Sequence, residues 1–222
     1  ESSARQIAKF ATNHTVVVEK STLPVKTAET IKSILNSSQQ NDGINKVKNK
    51  KTFSIVSNPE FLSEGNAVQD FLHPSRIVIG AESQEAATRV AALFSDIDAT
   101  IQITGTASAE LIKHTANAFL AMKLTFINEI ATLCELVGAN VLDVAEGIGY
   151  DPRIGSTYLR PGPGWGGSCF PKDSASLLQT ANKAGFDFEL LEKAITLNQT
   201  HLQRTAQKVI DALPEGKKIE KS

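Results

Sequence analysis

No run of about 18 apolar residues occurs anywhere in this chain, which excludes a bilayer-spanning helix and implies no membrane partner. Net charge is also lacking: 23 Lys and Arg against 24 Asp and Glu leave −1, with the signs interspersed. A dedicated nucleic-acid surface needs a basic excess, so no nucleic-acid partner is expected. Cysteine is scarce. Two in 222 residues do not make a disulfide framework, and a reducing, cytoplasmic setting is the default. The histidines His14, His73, His114 and His201 are scattered without ligand spacing, so no metal is expected. The opening residues show no charged-then-apolar signal pattern, so no signal peptide is expected. What is present is a 41% hydrophobic content, enough to bury a core in one large domain or two modest ones. The chain opens at Glu1 without a methionine and closes in Gly216-Lys217-Lys218-Ile219-Glu220-Lys221-Ser222, which reads as a piece of something longer.

The first hundred residues alternate between strand and helix patterns. Thr15 to Val18, Phe53 to Val56 and Arg76 to Gly80 are short β-branched or apolar runs of the kind that form buried strands. Helices are expected over Val25 to Leu35 and Ala86 to Phe94, and a solvated loop over Ser37 to Lys51. Strands separated by helices favour a mostly parallel α/β sheet, here a partial doubly wound one. After Gly105 the pattern changes. From Ala107 to Val137 there is no proline or glycine, and Ile112, Phe119, Leu120, Ile127, Ile130, Leu133, Cys134 and Val137 recur at helical spacing. This predicts one long core helix ending at Gly138. Further helices are expected over Val141 to Gly147, Asp173 to Ala184 and Phe188 to Leu213, so the second half is helical.

The stretch richest in chemistry is Arg160-Pro161-Gly162-Pro163-Gly164-Trp165-Gly166-Gly167-Ser168-Cys169-Phe170-Pro171-Lys172-Asp173. Its glycines let backbone amides approach a ligand closely. Cys169 falls near the expected start of a helix, where partial positive charge and Lys172 favour a thiolate. Asp173 is suited to orient a water or a substrate hydroxyl. The bland alternative is a buried small-residue turn with an inert cysteine. Gly162, Gly164 and Gly167 literally satisfy G-x-G-x-x-G, but no strand precedes them and two prolines interrupt, so this is not a dinucleotide turn. Cys134, in the apolar stripe of the long helix, reads as core. Lys113 and Asn117 lie four apart on that helix, and Lys113 either snorkels to water or is held in a site. In Asn58-Pro59-Glu60-Phe61-Leu62-Ser63-Glu64-Gly65, directly after a strand, a helical turn would point Glu60 and Glu64 the same way, against the alternative of two solvated glutamates. Thr22, also at a strand end, either contacts a cofactor or caps the next helix.

Together these pieces resemble the nucleotide-sugar dehydrogenases of the UDP-glucose/GDP-mannose family. The resemblance rests on Glu19 to Val25, Ser57 to Gly65, Glu110 to Phe119, Asp151 to Gly155 and Gly164 to Asp173, in order over nearly the whole chain. It implies an NAD-binding Rossmann-like domain whose second half is residues 1–105, a helical central domain with the cysteine loop at 106–213, and the opening of a C-terminal nucleotide-binding domain at 214–222. The Gly-rich unit that begins such a Rossmann domain would precede Glu1. The implied activity is a twofold oxidation of the sugar C6 hydroxyl, two hydrides passing to two NAD⁺. Cys169 matches the nucleophile, which holds a thiohemiacetal and then a thioester that water hydrolyses to the uronate. Glu60 matches the acid/base, Lys113 the cation facing the C6 oxygen, and Asn117 and Asp173 the residues that position substrate oxygen and water. Thr22, Glu64 and Lys172 match NAD contacts. Phe61, Leu62, Arg160, Gly164, Trp165 and Gly166 match substrate contacts, and Arg153 a residue lent to a neighbouring subunit. A homodimer or larger homo-oligomer through the long helix is implied.

Ser168 before Cys169 favours UDP-glucose over the N-acetylated-sugar branch, which tends to have His there; GDP-mannose is the runner-up. Only part of each nucleotide site is implied within residues 1–222, so these residues alone would not turn over substrate. Two readings from other classes are a thiol hydrolase using Cys169 without NAD, for which the partner histidine is not nearby, and a non-catalytic dimerisation core.

Overall fold

The computed structural model describes residues 1–37 and 51–213. Most of the expected 37–51 loop, and the expected start of a further domain at 214–222, lie outside the described residues. The chain forms two compact units, Glu1–His114 and Thr115–Ser222, and their boundary falls inside one helix.

The first unit is an α/β layer structure. In chain order it contains α1 (Ser2–Phe10), β1 (Thr15–Glu19), α2 (Thr27–Ser37), β2 (Phe53–Ser57), α3 (Ala67–Leu72), β3 (Ile77–Ala81), α4 (Gln84–Ala92) and β4 (Ile101–Thr104). The four strands form one sheet in the order β1-β2-β3-β4. Side-chain alternation splits the sheet's apolar residues between two cores. Ile55, Val17 and Phe53 pack with Ala4, Ala8, Ala28 and Leu35 of α1 and α2. Val56, Ile77 and Ile79 pack instead with Ala86, Ala87 and Val90 of α4. Helices thus cover both faces, as a doubly wound sheet requires. β1 pairs with β2 in parallel, from Thr15↔Phe53 to Glu19↔Ser57, and β3 with β4 in parallel. The β2–β3 pair is antiparallel, held at Val56↔Ala81 and Ser57↔Gly80. The expectation of a mostly parallel sheet holds, with this one reversed pair at its centre. Three elements, α1, α3 and β4, have no counterpart among the expected ones.

α5 (Thr106–Val137) runs 32 residues and carries the chain from the first unit into the second. It stops at Gly138, whose φ of +75° suits the left-handed residue after a helix, and Ala139 N–H reaches back to the Cys134 carbonyl at 2.9 Å. The second unit continues with α6 (Val141–Gly149), α7 (Phe170–Lys183) and α8 (Glu189–Asp211). Ala118, Leu177 and Leu191 form its apolar centre.

The inward face of α5 departs from the expected stripe. Cys134 and Ile127 are buried, but Phe119, Leu133 and Val137 are exposed, together with Phe126 and Leu136. Ala118, Ala121, Thr125 and Asn128 are buried as well. α5 therefore carries two apolar surfaces, the inner one built from smaller residues that let neighbouring helices approach.

Candidate active site

In the first unit the loop after β2 gathers Glu60, Phe61 and Leu62 at the carboxyl ends of β1 and β2, the edge where open α/β sheets bind ligands. The Lys113 ammonium lies 3.2 Å from Glu60 Oε1, and its side chain is only 5% exposed. Lys113 does not snorkel to water. Glu60 is further held by Leu62 N–H, which donates to Oε2 at 2.7 Å, and by the Thr22 hydroxyl, which donates to Oε1 at 3.4 Å. The Phe61 ring carries the Arg76 guanidinium 3.9 Å from its centroid and Lys113 Nζ at 5.4 Å. A cavity of about 260 Å³ opens beside this loop, lined by Lys20, Asn58, Glu60, Phe61, Leu62 and Arg76 among others.

Two expectations for this region are corrected. Residues 58–63 are not helical, and α3 begins only at Ala67, so Glu60 and Glu64 are not successive turns of one helix face. Pro59 keeps Asn58 out of the helical region, and the Glu60 carboxylate takes a backbone donor of its own loop. Glu64 is exposed in the following turn. Nor does Thr22 cap α2. The Glu110 carboxylate does so, accepting from Lys26 N–H at 2.6 Å and Ala28 N–H at 2.9 Å. One turn later on α5, His114 Nε2 lies 2.8 Å from the Leu23 carbonyl, tying down the same segment.

Glu110 has a neighbour of like charge. Glu19, at the end of β1, is 8% exposed, and neither carboxylate oxygen has a hydrogen-bond partner among the described residues. Burial, then the Glu110 charge, pushes its pKa up from 4.5 to about 7. The folded state thus holds this proton more tightly than the unfolded chain does. The resulting stability is full below pH 4.5 and is lost as pH rises to about 7. The loss is on the order of 2–3 kcal/mol. Glu19→Gln is expected to melt higher than the parent at pH 8, with the gap closing by about pH 5. Thermal melts at the two pH values check this, and an equal gap at both would refute it.

In the second unit Cys169 occupies the N-cap of α7, with proline in the first turn behind it and Asp173 in the same turn. Its thiol is half-buried, whereas Cys134 is core; both are free. The Cys169 carbonyl accepts Asp173 N–H at 2.9 Å. Asp173 is 1% exposed, and Asn117 Nδ2 donates to its Oδ2 at 2.5 Å. Lys172 Nζ lies 3.7 Å from Asp173 Oδ1 and is largely in solvent. Arg160 and Gly166 are exposed, and Gly164 is half-buried. Trp165 is 6% exposed, its indole N–H donating to Thr125 Oγ1 at 2.8 Å. Phe170 meets both Trp165 and Tyr158 edge-on, with centroids 6.5 and 6.1 Å away. Arg153 is exposed and pairs with Asp151 at 2.6 Å.

Within each unit, then, the singled-out residues meet: Thr22, Glu60, Phe61 and Lys113 in the first, Asn117, Cys169, Lys172 and Asp173 in the second. Several polar residues around them were not singled out, among them Thr125, Asn128, Asn198 and His201. Their signal is positional. Thr125 and Asn128 continue the 118–121 stripe of α5, and Asn198 and His201 continue the 191–194 stripe of α8, so each is a polar residue at a core position.

Residues 1–98 match the NAD-binding domain, and residues 107–200 the central domain, of the UDP-glucose/GDP-mannose dehydrogenase family. UDP-glucose 6-dehydrogenase TuaD of Bacillus subtilis is 42% identical over 213 residues, which cover 96% of this chain and 44% of that protein. The UDP-glucose 6-dehydrogenase of Rhizobium meliloti is 45% identical over 215 residues, 95% of this chain and 47% of that protein. A solved UDP-glucose dehydrogenase from Pyrobaculum islandicum superposes with a TM-score of 0.84 at 33% identity, over 95% of this chain and 47% of that one. The chain thus spans a little under half the length of these relatives.

Proposed function

Because this chain belongs to the UDP-glucose/GDP-mannose dehydrogenase family, we propose that the intact protein oxidises the C6 hydroxyl of UDP-glucose twice, to UDP-glucuronate. The observation that carries this reading is Cys169 at the N-cap of α7, half-buried and one turn from an Asp173 locked onto Asn117. A half-buried sulfur at a helix start, free of any disulfide, is suited to act as a nucleophile toward a C6 aldehyde.

NAD, when bound, accepts the hydride of each oxidation. Thr22 after β1 and Glu64 after β2, in the first unit, and Lys172 on α7, in the second, are the residues we assign to its contacts; their hydroxyl, carboxylate and ammonium groups are of the kind that bind amide and ribose groups. No G-x-G-x-x-G lies among residues 1–98, so these residues provide the strand-end contacts and not a pyrophosphate turn.

The protein's own groups do the rest. Cys169 Sγ adds to the C6 carbon and holds it as a thiohemiacetal. After the second oxidation it holds a thioester, which water cleaves to release the carboxylate and the thiolate. Glu60 takes or returns a proton at the thioester stage. The Lys113 ammonium balances negative charge growing on the C6 oxygen, where a buried cation acts with less screening than in water. Asn117 and Asp173 position that oxygen and the attacking water. Phe61, Leu62 and the 160–166 loop contact the nucleotide sugar. Ser168, directly before Cys169, supports glucose over an N-acetylated sugar. The outer stripe of α5, Phe119, Phe126 and Leu133 at seven-residue spacing, is covered by a second copy of the chain, to whose site Arg153 is lent. We place the protein in the reducing cytoplasm, where Cys169 stays unoxidised.

In the intact protein, UDP-glucose is expected to yield two NADH per uronate, with GDP-mannose at least about tenfold poorer in kcat/KM. Equal turnover of GDP-mannose would overturn the choice of sugar, and no NAD reduction with either would overturn the reading.

A further inference from the structure

The glycine-rich loop before Cys169 is fastened from beneath by side chains that the proposed chemistry does not use. Asn198 on α8 grips both polar atoms of one peptide residue. Trp165 N–H donates to Asn198 Oδ1 at 2.8 Å, and Asn198 Nδ2 donates to the Trp165 carbonyl at 2.8 Å. This is the pairing one strand offers another, supplied here by a side chain. Thr125 Oγ1 accepts the indole N–H of the same residue, and its hydroxyl donates to the Ala121 carbonyl at 3.0 Å. At the other end of the loop, Gly162 N–H donates to Asn128 Oδ1 at 2.9 Å, and His201 Nε2 lies 2.8 Å from the Gly162 carbonyl. Asn128, Thr125, Asn198 and His201 are all buried.

The loop is shaped to this grip. A Cβ on Gly164 would stand 2.9 Å from Asn198 Oδ1 and 2.9 Å from Leu202 Cγ, and its φ is +129°. Only glycine lets the backbone come down onto Asn198 there. Four buried polar groups on two helix stripes are costly, the more so because His201 Nδ1 has no partner among the described residues, and a core needing only stability would place apolar residues in those positions. Cys169 and Asp173, by contrast, are held by α7 itself and by Asn117. The fastening therefore acts on the loop without setting the nucleophile.

We propose that Asn198, supported by Thr125, Asn128 and His201, is a positioning residue that fixes the 162–166 loop in the shape that receives the nucleotide sugar. The proposal rests on the reading of that loop as the substrate contact. Asn198 touches no reacting atom; it sets the affinity for substrate by holding the loop ready before binding.

The test uses the intact protein with Asn198→Ala. KM for UDP-glucose is expected to rise about tenfold with kcat changed less than threefold. A second readout needs no turnover: UDP-glucose protects Cys169 from iodoacetamide, and the concentration giving half protection should rise by the same factor. The alkylation rate without substrate should stay at the parent value. Should Asn198→Ala not fold, Thr125→Val, which removes only the indole's acceptor, decides by the same two readouts with a smaller shift in the same direction. Parent values of KM and half protection would overturn the proposal, as would a fall in kcat alone accompanied by a lower melting temperature. Failure of the underlying reading looks different: the parent protein itself would neither reduce NAD with UDP-glucose nor be protected by it.

Discussion

Cys169→Ser in the intact protein is expected to slow uronate release at least about a thousandfold. Serine keeps the size and the helix-capping place of the cysteine, so α7 and its hold on Asp173 should survive. What it lacks is the soft, strongly nucleophilic sulfur. Without it the C6 aldehyde is not captured as a species that the second oxidation can turn into an acyl group. The first oxidation draws on Lys113 and Asn117 and should be hit less, so a little aldehyde or its hydrate is the expected product. Chromatography of the products measures this, with a melting temperature within about 3 °C of the parent as the folding control. A variant releasing uronate at the parent rate would remove Cys169 from the mechanism. Cys134→Ser is the natural contrast: that side chain is 5% exposed in the core, so its loss should register in stability and not in chemistry.

Lys113→Met should lower kcat by about 10²–10³, the effect of removing one preorganised donor from a developing oxyanion, about 2.7–4 kcal/mol. Methionine preserves most of the alkyl volume and none of the charge. Removing one partner of a fully buried ion pair is strongly destabilising, but the loss here should be smaller because Glu60 is partly exposed. The partner is not stranded. Glu60 keeps Leu62 N–H and the Thr22 hydroxyl, and its side chain is 31% exposed and can hydrate. KM should move far less than kcat, since the interaction strengthens only as charge builds on the oxygen. Steady-state kinetics with UDP-glucose decides it. A kcat within threefold of the parent would make the Lys113–Glu60 pair a structural contact only.

Most of the local architecture was legible in the residues because it is set locally. The β-branched runs became β1, β2 and β3, and the glycine- and proline-free stretch became α5, its end marked by Gly138. Cys169 was expected near a helix start and stands at one. The direction of β3 against β2 was not legible, since it depends on how the chain between residues 58 and 76 travels and not on any periodicity. The burial of Lys113 was equally hidden. It follows from Glu60, 53 positions earlier, a partner that helical spacing around Lys113 does not reveal. The α5 stripe was read as one core face because apolar residues at i, i+7 satisfy a core and an interface alike. Phe119 and Leu133 turned out to lie on the outer surface. Asn198 escapes for the opposite reason, and His201 registers only as a histidine without ligand spacing: polar residues carry no apolar periodicity, yet at core positions they mark a loop that needs holding.

During turnover C6 of the sugar is expected to become covalently attached to Cys169. Quenching the intact protein in acid during turnover with UDP-glucose and NAD⁺, followed by digestion and mass spectrometry, addresses it directly. The expected result is an acyl adduct of the nucleotide sugar on the peptide containing Cys169, absent without NAD⁺, with the Cys134 peptide unmodified. Uronate accumulating while Cys169 stays unmodified at every quench time would contradict it.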